Sequence, residues 1–129
     1  GFRNLVDGFM KKIKLNIILI TNQQQQEYNV LGEYQKENNL IKYKESDKLL
    51  TEVKIDLKNK LLIRENKDYY LEYKFIENQL TENKIKLKEL DQSLYLNIKT
   101  EKLEINDNKF EVIYTIIDSD EKVTYIIKF

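Results

Sequence analysis

The chain has 129 residues, enough for one domain with its own hydrophobic core and too few for two comfortable ones. Lysine plus arginine and aspartate plus glutamate balance at 22 each, which leaves no global field to draw in nucleic acid, an anionic membrane or an acidic substrate. Cysteine and histidine are absent, excluding disulfides, thiolate chemistry and the usual metal-ligand sets, and no cofactor is expected.

Gly1 to Phe9 read as an expression remnant or a disordered leader, because Met10-Lys11-Lys12 has the look of a native start. From Met10 the segment MKKIKLNIILI resembles a signal peptide. However, Asn16 interrupts the apolar run, Ile17 to Ile20 falls short of the roughly 7 to 15 residues such a run needs, and no small-residue cleavage site follows. Ile13, Leu15, Ile17 and Leu19 instead alternate as a first strand, and no stretch approaches the roughly 18 apolar residues of a membrane span.

Gln23 to Gln26 read as a polar loop. Val30, Gly32 and Tyr34 then share one face of a second strand, where a glycine marks a bend, a bulge or a close backbone approach. Proline is absent and the other glycines, Gly1 and Gly8, lie near the start, so the turns fall to Asn, Asp, Lys and Ser. Glu37-Asn38-Asn39 turns into a third strand with Ile41, Tyr43 and Glu45 on one face.

The central hairpin follows. Thr51, Val53, Ile55 and Leu57 alternate with polar residues, Lys58-Asn59-Lys60 turns, and Leu61 to Arg64 returns. After Asn66-Lys67-Asp68, one side of the next strand carries Tyr69, Leu71, Tyr73 and Phe75, and the other Tyr70, Glu72 and Lys74. Leu80 to Leu90 fits a strand through Ile85 and Leu87, with a helix as the competing pattern through Leu80, Lys84, Leu87 and Glu89. Leu94, Leu96, Ile98 and Thr100 alternate, Leu103 and Ile105 extend them, and Asn106-Asp107-Asn108 turns the chain. Phe110, Val112, Tyr114 and Ile116 form the penultimate strand, and Val123, Tyr125, Ile127 and Phe129 the last.

Nine or ten short strands joined by short turns, rich in Tyr, Phe, Ile and Val, make an all-β antiparallel meander. An open sheet of that length leaves two raw edges, so it closes into a barrel or folds over as a sandwich. Closure is the expectation: residues 10–129 form a single up-and-down β-barrel of about eight to ten strands, with a filled interior or room for one small ligand.

The order Gly32-Glu33-Tyr34, Tyr43-Lys44-Glu45, the alternating Thr51 to Leu57 strand, Ile63-Arg64, and Leu94 to Thr100 ending in threonine resembles the YwiB-like family of small Firmicutes domains of unknown function. The resemblance runs from about Ile13 to Phe129. It implies a calycin-like, lipocalin-type β-barrel and a cytoplasmic bacterial setting, and it brings no established activity. The chain departs from the family where glycine is usual: Asn66 follows the arginine strand, and Asp91 or Gln92 precedes the Leu94 strand.

Glu45 and Arg64 are the sharpest candidate pair, since each ends a strand and they can meet across the Thr51 to Leu57 strand. Pointing inward they would need each other, and Arg64→Ala would cost about 3 to 5 kcal/mol if the pair is buried. On the functional reading they anchor a ligand inside the barrel, with Tyr34, Tyr43, Tyr73, Tyr114 and Thr100 as hydrogen-bonding partners. The plainer reading is a structural ion pair at the rim. Tyrosine faces could also stack bases, but that normally requires a basic groove. Asp118, Asp120 and Glu121 lack the glycine and oxygen spacing of a calcium loop and read as a hairpin turn.

Carboxylates, lysines or tyrosines would have to carry any acid–base work, and none is spaced to do so. The chain therefore reads as non-enzymatic, a barrel binding a small, partly apolar ligand, with no nucleic acid, membrane or named protein partner. The alternative is a filled barrel acting as a protein-interaction module through an edge strand or an exposed patch such as Tyr70 and Tyr95.

Overall fold

Successive side chains of a strand project to opposite faces, so alternation in the sequence becomes an inside and an outside once the sheet curls. The computed structural model describes residues 11–22 and 24–129, and the expectations for Gly1 to Phe9 and the Met10 start lie outside them. The described residues form ten strands: β1 (Lys11–Ile20), β2 (Gln25–Gln35), β3 (Leu40–Lys44), β4 (Glu52–Asp56), β5 (Leu61–Glu65), β6 (Tyr69–Lys74), β7 (Leu80–Leu87), β8 (Gln92–Asn106), β9 (Lys109–Ile116) and β10 (Glu121–Lys128). One 3₁₀ turn, Lys36–Asn38, joins β2 to β3. Each strand pairs antiparallel with the next, and β1 pairs with β10 from Asn16 opposite Lys128 to Ile20 opposite Thr124. The sheet is thus a closed barrel, and Leu80–Leu87 is a strand rather than a helix. Among the described residues no helix is long and apolar enough to cross a membrane.

Asn, Asp and Lys do make most of the turns. Asn39, Lys60, Asn78, Asp91 and Asp120 all take positive φ, a region that Asn and Asp tolerate better than other side chains. Asp91 sits at φ 47°, in the left-handed region that glycine enters most freely. Asn66 works differently: its side-chain oxygen accepts the amides of Asp68 and Tyr69 at 2.8 and 3.1 Å and shapes the turn as an Asx cap. The loop expected at Gln23 to Gln26 is shorter than its polarity suggests, since Gln25 and Gln26 already belong to β2.

β8 carries a bulge. Thr100 faces Tyr114 and Lys102 faces Ile113, leaving Glu101 as the extra residue. The inward set changes parity there, from Ile98 and Thr100 before the bulge to Leu103 and Ile105 after it, which keeps one long strand facing the core throughout.

The barrel parts at two places. β2 pairs with β3 only between Glu33 and Gln35, and β6 with β7 only between Tyr69 and Leu71. At the second parting side chains replace the missing ladder. Buried Asn83 accepts the Lys74 amide at 2.8 Å and donates to the Thr81 carbonyl at 3.1 Å, while the Thr81 hydroxyl donates to the Lys74 carbonyl at 2.8 Å. At the first, Gly32 lets β1 and β3 close in: a Cβ there would lie 2.5 Å from Leu15 Cδ1 and 2.7 Å from the Lys42 carbonyl oxygen.

The meander puts the β2–β3, β4–β5, β6–β7 and β8–β9 connections at one end and the remaining five at the other. The first end is solid. Phe75 and Phe110 are fully buried there, and a run of tilted ring contacts from Tyr73 through Tyr114, Phe75 and Phe110 to Tyr125 spans the interior, with centroids 5.4 to 6.5 Å apart. Tyr34 and Phe129 meet edge to face at 5.1 Å.

Candidate functional site

At the opposite end the inward positions turn polar: Thr21 after β1, Gln26 on β2, Glu45 after β3, Arg64 on β5 and Glu121 on β10. These residues ring a cavity of about 300 Å³, open to solvent on one side, at the low edge of the roughly 300 to 1,000 Å³ usual for small-molecule sites. Its walls are Leu19, Leu62, Leu71, Ile116 and Val123, with Tyr28, Tyr73, Tyr114 and Tyr125 completing the lining. Below it the aromatic stack closes the barrel.

Arg64 and Glu45 are joined as the spacing predicts, Arg64 Nη1 donating to Glu45 Oε1 across β4. The pair is largely buried, with side-chain exposures of 25% and 21%. Burial is the largest single influence on the guanidinium and opposes its charge. The hydrogen bond and charge of Glu45, with help from Tyr69, outweigh it and leave the pKa above that of a free arginine.

A satisfied polar network supports the rim behind this pair. Asp47 accepts the Thr51 amide at 3.0 Å and the Thr51 hydroxyl at 2.7 Å, and Asn66 Nδ2 donates to that hydroxyl at 3.0 Å. The Thr51 amide and hydroxyl hold the Asp47 carboxyl below its ordinary pKa. The network fixes the β3–β4 loop that carries Glu45.

The tyrosines stay neutral. Burial raises the phenol pKa of Tyr28, Tyr73, Tyr114 and Tyr125, most in the last two. The negative field of Glu121 adds to the rise at Tyr73 and Tyr114, which brings that carboxylate and those hydroxyls into one neighbourhood. The Tyr125 hydroxyl is fully buried with no hydrogen-bond partner among the described residues. Such an orphan is uncommon in a folded interior.

Of the residues singled out from sequence, Arg64, Glu45, Tyr73 and Tyr114 line this cavity and Tyr34, Tyr43 and Thr100 do not. Tyr34 packs on Phe129. Tyr43 and Thr100 are buried in the wall with unpartnered hydroxyls, Tyr43 beside the β2–β3 parting and Thr100 next to the β8 bulge. The sequence reading did not single out Tyr28 or Tyr125 and placed Glu121 only in a turn. All three have the inward parity of their strands, which was the available signal. Among the described residues no group of three Asp or Glu is arranged to hold a metal ion.

Two further clefts, of about 310 and about 440 Å³, lie outside the two partings and are lined largely by Lys and Glu side chains. Of the three, the mouth cavity is the one with four tyrosines in its lining.

Fold and site together define a closed, up-and-down ten-stranded antiparallel barrel with a solid floor and a cavity at its mouth. Among solved structures the chain is similar to the crystal structure of the ywiB protein from Bacillus subtilis, at 21% identity over 99% of this chain and 98% of that chain, with a TM-score of 0.68. At that identity the likeness establishes a shared fold, and at that level it bears out the YwiB-like resemblance seen in the order of motifs. No family model and no curated protein sequence matches the chain.

Proposed function

We propose that this barrel is a non-enzymatic binding protein that takes one small, partly apolar molecule into the cavity at its mouth. The observation that carries the reading is a cavity of about 300 Å³ whose lining combines apolar side chains with four tyrosines and the joined Arg64 and Glu45. A ligand there would cover apolar surface while a few polar groups fix its orientation. A cytoplasmic setting belongs to this reading and rests on the family resemblance, as does a calycin-like ancestry. Native mass spectrometry of freshly purified protein tests it. A bound small molecule that leaves when Tyr125 or Arg64 is replaced supports the reading. A protein of bare mass, whose cavity tyrosine resonances stay unmoved by a library of small apolar compounds, would overturn it.

A second reading, an interaction module, is favoured by exposed apolar side chains on one hairpin. Leu90, Leu94 and Tyr95 sit on the β7–β8 hairpin with half or more of their surface exposed. Its check is sedimentation and pull-down with the hairpin intact and with Leu94→Ser and Tyr95→Ser. A strict monomer that captures nothing in either form leaves it without support.

A further inference from the structure

The cavity carries an imbalance of charge that the binding reading alone does not use. Two carboxylates, Glu45 and Glu121, and one guanidinium, Arg64, line it. Arg64 is committed to Glu45. Glu121 forms no ion pair with any described residue, although it occupies an inward position at the start of β10. Among the described residues the mouth therefore holds one negative charge without an ion-pair partner.

Four tyrosines line the same cavity, and of these Tyr73 and Tyr114 lie within the field of Glu121. An ammonium group has three donors and no acceptor, so it matches a carboxylate and phenol oxygens, and aromatic rings favour it. A carboxylate or phosphate ligand would have to displace Glu45 from Arg64 while meeting the field of Glu121. A neutral ligand would leave Glu121 as it stands.

We propose that the cavity selects a small cationic amine with an apolar body, its ammonium between Glu121 and the Tyr73 and Tyr114 hydroxyls, and its apolar part against Leu62 and Leu71. This rests on the binding reading given above and narrows it to a ligand class. The Arg64–Glu45 bridge is then a fixed wall of the site, and Glu121 is the residue that reads the ligand's charge.

The test is a titration of the full chain with three probes of nearly one shape: benzylamine, benzyl alcohol and benzoate, followed through the tyrosine ring resonances. Benzylamine should bind on the order of tenfold tighter than the alcohol, with benzoate weakest, and Glu121→Gln should abolish the preference of benzylamine over the alcohol. Benzyl alcohol or benzoate binding as tightly as benzylamine, or a preference that survives Glu121→Gln, overturns the amine assignment and leaves a binding cavity in place. If none of the three moves the tyrosine resonances, the amine assignment fails and the binding reading fails with it. Circular dichroism of Glu121→Gln separates a lost charge from a lost fold.

Discussion

Arg64 on β5 and Glu45 at the end of β3 bond to each other across β4, and each is about three-quarters buried. Burial makes each charge dependent on the other, while partial exposure leaves water able to screen whichever is left alone. Arg64→Ala should therefore cost about 1 to 3 kcal/mol, less than the roughly 3 to 5 expected of a fully buried pair. Urea denaturation of Arg64→Ala, Glu45→Ala and the double variant would measure the coupling. Strict additivity of the two single changes would show that the bond contributes nothing.

Tyr125→Phe removes a hydroxyl that has no partner among the described residues. Leaving such a group buried is unfavourable, so the variant should be as stable as the parent or up to about 1 kcal/mol more stable. A clear loss of stability on thermal denaturation would mean that the hydroxyl has a structural partner.

Gly32→Ala inserts a Cβ between the Leu15 side chain and the Lys42 carbonyl oxygen. The side chain can turn away only into a packed core, and the carbonyl belongs to the backbone of β3, so a destabilisation of about 1 to 3 kcal/mol is expected. Shortening Leu15 at the same time should recover only part of it, because the carbonyl remains. Full recovery in Gly32→Ala/Leu15→Ala would place the strain on Leu15 alone.

At high pH the buried phenols set the limit. Burial lifts Tyr73, Tyr114 and Tyr125 above the ordinary value of 10.0, so above that pH the unfolded chain releases protons that the folded chain retains. Stability should be intact below pH 10.0 and fall as pH rises beyond it. Absorbance titration should show these phenols ionising together with loss of the strand signal in circular dichroism. Complete ionisation of every tyrosine with the strand signal unchanged would contradict this.

Alternation alone revealed nearly every strand, because a barrel dry inside and wet outside repeats the simplest pattern a strand can carry. The Arg64–Glu45 pair was legible for the same reason: both charges fall at inward parity in otherwise apolar strands. What escaped were effects of neighbours distant in the chain. Thr100 and Leu103 are separated by an odd number of residues yet both face inward, which announces the bulge at Glu101 only once they are compared as a pair. Asn83 and Thr81 interrupt the apolar face of β7 because they complete the ladder to β6, a role fixed by how far the two strands have separated. Tyr34 and Tyr73 look alike in sequence, each near the end of a strand running the same way, and only their neighbours across the barrel tell them apart: Tyr34 packs on Phe129, whereas Tyr73 lines the cavity.

All but one of the strand-to-strand seams join segments consecutive in the chain; the last joins β1 to β10. Until residues 121 to 128 are in place, the preceding nine strands make a curled ribbon with two raw edges, a shape that invites pairing with another ribbon of the same kind. Exchange of β10 between two such ribbons satisfies every edge with the same five residue pairs that join Asn16–Ile20 to Thr124–Lys128 in the single chain. The ring thus places its one kinetic hazard at the moment of completion, where crowding during refolding would appear as interlocked dimers with unchanged strand content.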